Sequence, residues 1–137
     1  MNRKDFQELS KIRLREAQAL LDLELYDGAY YLVGYAVECA LKACIAKGTQ
    51  RYEFPDKKRA DSSHTHNLRE LVRLADLEDA CKDAAAASGN FRLNWDTVLG
   101  WSEQCRYQRI DPESARLLLK AVSEKQHGII VWLKLNW

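Results

Sequence analysis

The chain of 137 residues contains only two prolines and six glycines. Few positions are therefore available to break helices or make tight turns, and a small number of long elements is expected. It has no excess charge of either sign. Lys plus Arg number 21 against 20 Asp plus Glu, which excludes a histone-like or basic-arm binder of nucleic acid and leaves room only for a local basic patch. No uninterrupted apolar run reaches the roughly 18 residues that read as a membrane span. The opening segment 1–14 is polar and lacks the apolar centre of a signal peptide. Both features point to a cytoplasmic protein that does not engage a membrane. The four cysteines, Cys39, Cys44, Cys81 and Cys105, form no Cys-x-x-Cys pair and fit no zinc spacing. No metal site and no cofactor is read from the sequence, and Cys39 and Cys44, set in apolar surroundings, read as small core hydrophobes.

What is present is ordinary for a folded domain: 47% hydrophobic and 30% charged residues. The length suits a single domain, 1–137, with a substantial core. Helical periodicity dominates. In 5–24, Phe6, Leu9, Leu14, Ala17, Leu20 and Leu21 share a face that Arg13 interrupts, and Tyr26-Asp27-Gly28 reads as a turn. In 27–47, Ala29, Leu32, Val33, Ala36, Val37, Ala40, Leu41 and Cys44 form an apolar stripe with small or aromatic flanks. A helix apolar on nearly all sides belongs at the centre of its domain. The segment 49–66 has no period and reads as a long functional or mobile loop, with Lys57-Lys58-Arg59 as a solvated tip. Asn67 with Glu70 reads as a capping box opening a third helix. An alanine-rich stretch stops at Gly89, and Asn94 caps a fourth helix running to about 107. Asp111-Pro112-Glu113 starts the last helix, which carries Ala115, Leu118, Leu119, Val122, Ile129, Ile130 and Leu133 on one face, with Gln126 inside it needing a partner. The predicted fold is all-α: an antiparallel up-and-down bundle of four to five helices, with a long loop between helices 2 and 3.

Several polar residues stand out as ligand-binding candidates. Tyr31, Tyr35, Glu38 and Lys42 form a line opposite the main stripe of the second helix, to be covered by another helix, a second subunit or a ligand. Arg106 and Arg109, three residues apart with Tyr107 between and Trp101 nearby, can hold a phosphate and stack a base. The plainer expectation is that Arg106 pairs with Glu38 and locks the fourth helix to the second. His66, beside the third-helix cap, either pins the loop through a hydrogen bond or joins His64 and Arg106 in a cleft; two histidines separated by one residue can also hold a metal, although no acidic or thiol ligand sits at a matching spacing. Trp132, Leu133, Leu135 and Trp137 make an apolar tail that folds back or meets a partner, with a homodimer contact preferred.

The segments Tyr26-Asp27-Gly28-Ala29-Tyr30-Tyr31 and Ala36-Val37-Glu38-Cys39-Ala40-Leu41-Lys42-Ala43 resemble the second helix of HEPN domains (higher eukaryotes and prokaryotes nucleotide-binding). His66-Asn67-Leu68-Arg69-Glu70-Leu71 is similar to the opening of that family's third helix, and Arg106-Tyr107 before Asp111-Pro112 to its closing section. The likeness runs over about 5–132. It implies a helical bundle, often homodimeric, that works beside a minimal nucleotidyltransferase in toxin–antitoxin or defence systems. Active members resemble metal-independent ribonucleases, with an Arg followed after four to six residues by a His at the start of the last helix. Here no His follows Arg106 or Arg109 until His127; the spacings that fit are Arg59 to His64 and Arg59 to His66, in the wrong segment. The expectation is therefore a catalytically silent module binding RNA, a nucleotide or a nucleotidyltransferase. The alternative is a metal-independent ribonuclease with a non-standard site, for which His64, His66 and Arg106 are the catalytic candidates.

Overall fold

The computed structural model describes residues 1–49 and 57–137, without the side chains of 57 and 59. The described residues are all-helical, with eight α-helices and no strand: α1 (Arg3–Asp22), α2 (Tyr26–Lys47), α3 (Lys57–Ser62), α4 (Leu68–Leu74), α5 (Glu78–Ala87), α6 (Gly89–Leu99), α7 (Pro112–Ser123) and α8 (Ile129–Lys134). A 3-10 turn, Glu103–Tyr107, lies between α6 and α7.

The central helix is α2, packed against α1, α4, α7, α8 and the 3-10 turn. By length and composition it is apolar enough to cross a membrane, yet 67% of that window is buried inside the protein, as expected for a core helix surrounded by neighbours. Of the stripe read from the sequence, Ala29, Val33, Ala36, Val37, Ala40, Leu41 and Cys44 are buried, and Leu32 packs at the margin. Small residues let α1 approach closely. Ala17 is fully buried, and the buried Ser10 hydroxyl donates to the Ala36 carbonyl at 2.8 Å. The remaining face of α1 is only half covered, and Arg13 is held by Glu16 at 2.6 Å.

Several boundaries differ from the pattern reading, each for a local reason. The first turn lies at 23–25 rather than at Tyr26-Asp27-Gly28. Glu24 adopts φ 60°, and the N–H groups of Glu24 and Leu25 close onto the Leu21 and Leu20 carbonyls, the pattern that ends helices in a left-handed residue. The segment read as a structureless loop contains α3 in its described part, so Lys58 stands on a helix rather than a loop tip; 50–56 lie outside the described residues. Asn67 does cap α4, accepting from the Glu70 N–H at 3.1 Å, but the Glu70 carboxylate turns to Arg73 and the Asn67 N–H goes to Thr65 Oγ1, so the reciprocal half of the capping box is unmade. Ser88 caps α6, not Asn94.

The predicted final helix is two helices. Glu124 takes the N–H groups of Gln126 and His127, Asn94 Nδ2 donates to the His127 carbonyl at 3.1 Å, and Ser88 Oγ meets His127 Nδ1 at 3.1 Å. Gly128 is required there, because a Cβ would collide with the Glu124 and Val122 carbonyls. The break turns Gln126 out to solvent, which removes its need for a partner. The tail folds back: Trp132 meets Phe91 and Trp95 edge-on at 5.3 and 6.2 Å, and the Trp137 carbonyl accepts from Arg3 at 2.6 Å, its ring lying under Lys11 and Lys134.

All four cysteines are free and buried. Burial pushes the thiols of Cys39, Cys44 and Cys105 up to about 11 and raises that of Cys81. A thiol raised in this way stays protonated near pH 8, and the thiolate is the reactive form. The native protein is therefore expected to resist Ellman's reagent at pH 8, while all four thiols react in guanidinium chloride; rapid stoichiometric labelling of native protein would contradict this packing.

Candidate functional site

The polar line on α2 is covered in part by the protein's own chain: Glu38 is buried, whereas Tyr31, Tyr35 and Lys42 are half-buried. Tyr31 and Tyr35, one turn apart, stack with nearly parallel rings at 6.2 Å. Trp101 lies across this face, 6.2 Å from the Tyr31 ring, and its indole occupies the space a Cβ at Gly34 would need. One turn further on is Glu38, only 1% exposed. Its Oε1 accepts from Lys42 Nζ at 2.9 Å, the favourable i,i+4 order, and from His66 Nδ1 at 2.9 Å. Its Oε2 is buried with no hydrogen-bond partner among the described residues. A buried carboxylate requires partners, and here they come from its own helix and from the residue preceding the α4 cap.

Arg106 is not that partner, which corrects the expected Arg106–Glu38 lock. The geometry of its segment explains why. The helix α6 stops at Leu99, and the chain continues as a 3-10 turn before becoming extended at Gln108. Arg106 is left on the surface, its guanidinium 4.9 Å over the Tyr107 ring and held above its ordinary value by the Tyr107 and Tyr31 hydroxyls. Arg109 does not continue on a helical face beside it. It is 98% exposed and stands 3.8 Å from Asp27, whose other oxygen accepts the Ile110 N–H at 2.7 Å.

The two candidate histidines are separated by the Glu38 contact. His64 lines a cavity of about 440 Å³ between α1, α2 and the end of α3, together with Tyr35, Glu38 and Lys42. His66 lines a second, more polar cavity of about 500 Å³ with Thr65, Arg69, Ser102 and Glu103. Among the described residues no group of three or more His, Cys, Asp or Glu is gathered. The Nδ1–H of His66 faces the Glu38 carboxylate, which fixes the ring and leaves Nε2 as the nitrogen free to meet a bound group. A carboxylate-oriented imidazole of this kind can accept a proton from a bound hydroxyl.

Thus Tyr31, Tyr35, Glu38, Lys42 and His66 form one connected surface along α2, Arg106 and Tyr107 join it at the Tyr31 end, and Arg109 stands apart on Asp27. Sequence reasoning misses the two outer walls. Trp101 reads as a core anchor, and its place over Gly34 has only one signal, a glycine in the interior of the helix. Ser102 and Glu103 carry no signal of their own. Compared with protein-family models, with curated proteins and with solved structures, the chain has no match in any of the three.

Proposed function

We propose that this protein is a HEPN-like, catalytically silent binding module that takes RNA or a nucleotide at the Arg106 end of α2. The observation that carries the reading is the exposed pairing of cation and aromatic. Arg106 belongs to none of the ion pairs formed among the described residues, Tyr107 beside it is 75% exposed, and Tyr31 borders it. A guanidinium outside those ion pairs, stacked on an aromatic ring that is itself largely exposed, matches a phosphate followed by a base. Two motifs of the resemblance also meet through one contact, Glu38 of α2 with His66 before α4. The proposal carries with it an up-and-down arrangement of the principal helices, a cytoplasmic setting in a toxin–antitoxin or defence pair, a minimal nucleotidyltransferase as protein partner, and a homodimer. For the homodimer the support is apolar side chains left exposed, Leu117 on α7 at 52% and Leu135 near the C-terminus at 77%.

The test is fluorescence anisotropy with a short single-stranded RNA across a salt series. Arg106→Ala is expected to weaken binding several-fold, because it removes a charge-assisted contact to phosphate, and to reduce the salt slope by about 0.7 for each phosphate that Arg106 neutralises. Equal affinity and slope in the two proteins overturn the reading. The carboxylate-oriented His66 favours one second reading, a metal-independent ribonuclease. Cleavage without metal that disappears in His66→Ala would establish it in place of the silent module.

A further inference from the structure

We infer that the polar cavity between the start of α4 and the 3-10 turn is a ribose–phosphate subsite, through which the protein selects ribonucleotides over deoxyribonucleotides. This rests on the nucleotide-binding reading and deepens it.

The cavity, of about 500 Å³, joins two segments distant in sequence: Thr65, His66 and Arg69 line one side, Trp101, Ser102 and Glu103 the other. Three features meet there. The first is positive charge. Arg69 is exposed and belongs to no ion pair among the described residues, and a guanidinium matches the geometry of a phosphate. Beside it, His66 is held through Nδ1 by Glu38. Its Nε2 is left for a ligand and donates to it in the imidazolium form. The second feature is a pair of hydroxyl donors. Thr65 Oγ1 accepts the Asn67 N–H and Ser102 Oγ the Gln104 N–H, each at 3.1 Å. Their oxygens are spent on backbone, so what they offer a ligand is a proton. The third is Glu103, half-buried and in no ion pair among the described residues.

The carboxylate decides which ligand suits the cavity. An ionised carboxylate only accepts, and it repels a bare phosphate. It fits a ligand that carries a hydroxyl proton beside its anion. Ribose does so, because its 2′-hydroxyl donates and lies next to the phosphate ester, and this hydroxyl is the group by which a protein tells RNA from DNA. Deoxyribose leaves Glu103 facing the phosphate with no proton between them. The subsite is also continuous with the Arg106 end. Ser102 caps the 3-10 turn, Glu103 begins it and Arg106 lies three residues on, a rise of about 6 Å. Trp101 forms the wall between, 6.2 Å from the Tyr31 ring, which borders Arg106. One strand can thus place a phosphate on Arg106 and a neighbouring ribose–phosphate unit in the cavity.

The experiment is titration of the full chain with the tetranucleotide UUUU, its deoxyuridine counterpart and its 2′-O-methyl counterpart, and with UMP and dUMP to separate a free nucleotide from an RNA segment as the source of the ribose. UUUU is expected to bind several-fold more tightly than either counterpart, since the methyl ether keeps the oxygen but lacks the proton that Glu103 accepts. Glu103→Ala is expected to erase that preference. Arg69→Ala serves as the second variant, because an exposed side chain outside the ion pairs can be removed without disturbing the core. It is expected to weaken UUUU and its deoxyuridine counterpart alike, and to lower the salt slope by about 0.7 for the phosphate it neutralises. The same preference for UMP over dUMP, at the affinity of UUUU, supports the subsite with a free nucleotide as source; a preference confined to the tetranucleotides supports it with RNA. Equal affinity for UUUU and its deoxyuridine counterpart, with Arg106→Ala still weakening both, overturns the inference and leaves the binding reading standing. A preference that survives Glu103→Ala, or a salt slope unchanged in Arg69→Ala, also overturns it. No binding by any of the five probes overturns both.

Discussion

Gly34→Ala is expected to destabilise the protein by about 2–3 kcal/mol, within the range for overpacking a close-packed core. The sign is the informative part. At an open position inside a helix, alanine is better than glycine by roughly 0.8–1.0 kcal/mol, so the same substitution elsewhere stabilises. The Gly34 backbone is ordinary helix without a positive φ and makes no demand for glycine. The demand comes from the Trp101 indole, which is 4% exposed and occupies the volume of the missing Cβ. The indole is the stiff part of its side chain and is buried beside Tyr31, so it cannot swing aside cheaply. A melting temperature lower by roughly 6–12 °C is the expected reading for a chain of this size. In a Trp101→Ala background, which is itself destabilised, Gly34→Ala should become neutral or stabilising. A single variant that melts at or above the parent would show that the indole does not sit on α2.

The second large effect is at Glu38. Glu38→Ala is expected to cost roughly 3–5 kcal/mol, as when one member of a buried ionic group is removed. The Lys42 ammonium, 16% exposed, is left without its counter-charge, and His66 no longer ties the α4 approach to α2. Glu38→Gln keeps the shape and one acceptor and should cost distinctly less. A denaturant double-mutant cycle between Glu38→Gln and His66→Ala is expected to return a coupling of about 0.5–3 kcal/mol, as for groups in direct contact. A coupling near zero would mean that the 2.9 Å contact contributes nothing to stability, and would remove the support for an oriented His66.

The positions that matter differ in how far they are legible in the sequence. The burial of Val33, Val37, Ala40 and Leu41 follows from a repeat of three and four residues, and any observer of the pattern places them on one face. The Asn67 and Asp111 caps are equally plain, because each acts on an N–H three residues away. The polar line Tyr31, Tyr35, Glu38 and Lys42 is also legible, since it is a single helix face and includes its own Glu38–Lys42 contact. The partner of Glu38 across the fold is not. Arg106 and His66 both offer a donor, and they lie in segments whose approach to α2 no local pattern specifies. The deciding fact is the end of α6 at Leu99, which turns Arg106 outward and leaves the carboxylate to His66.

Helix breaks show the same division. Ile129, Ile130 and Leu133 keep the period of Ala115, Leu118 and Val122 closely enough to pass as one helix. The break at 124–128 is held by Asn94 of α6 and by Ser88, the N-cap of α6, which are distant in sequence and invisible to a local pattern. By itself, the sequence determined the helical class, the buried stripe of the central helix and the caps at Asn67 and Asp111. Periodicity, propensity and capping act within one or two turns of chain, so they are written where they operate. The tertiary structure alone decided that Trp101 sits on Gly34, that Glu38 is held by His66 with one oxygen left over, and that Arg106 faces water. Those outcomes depend on which distant segments meet and in what orientation, a property of the packed whole rather than of any stretch of residues.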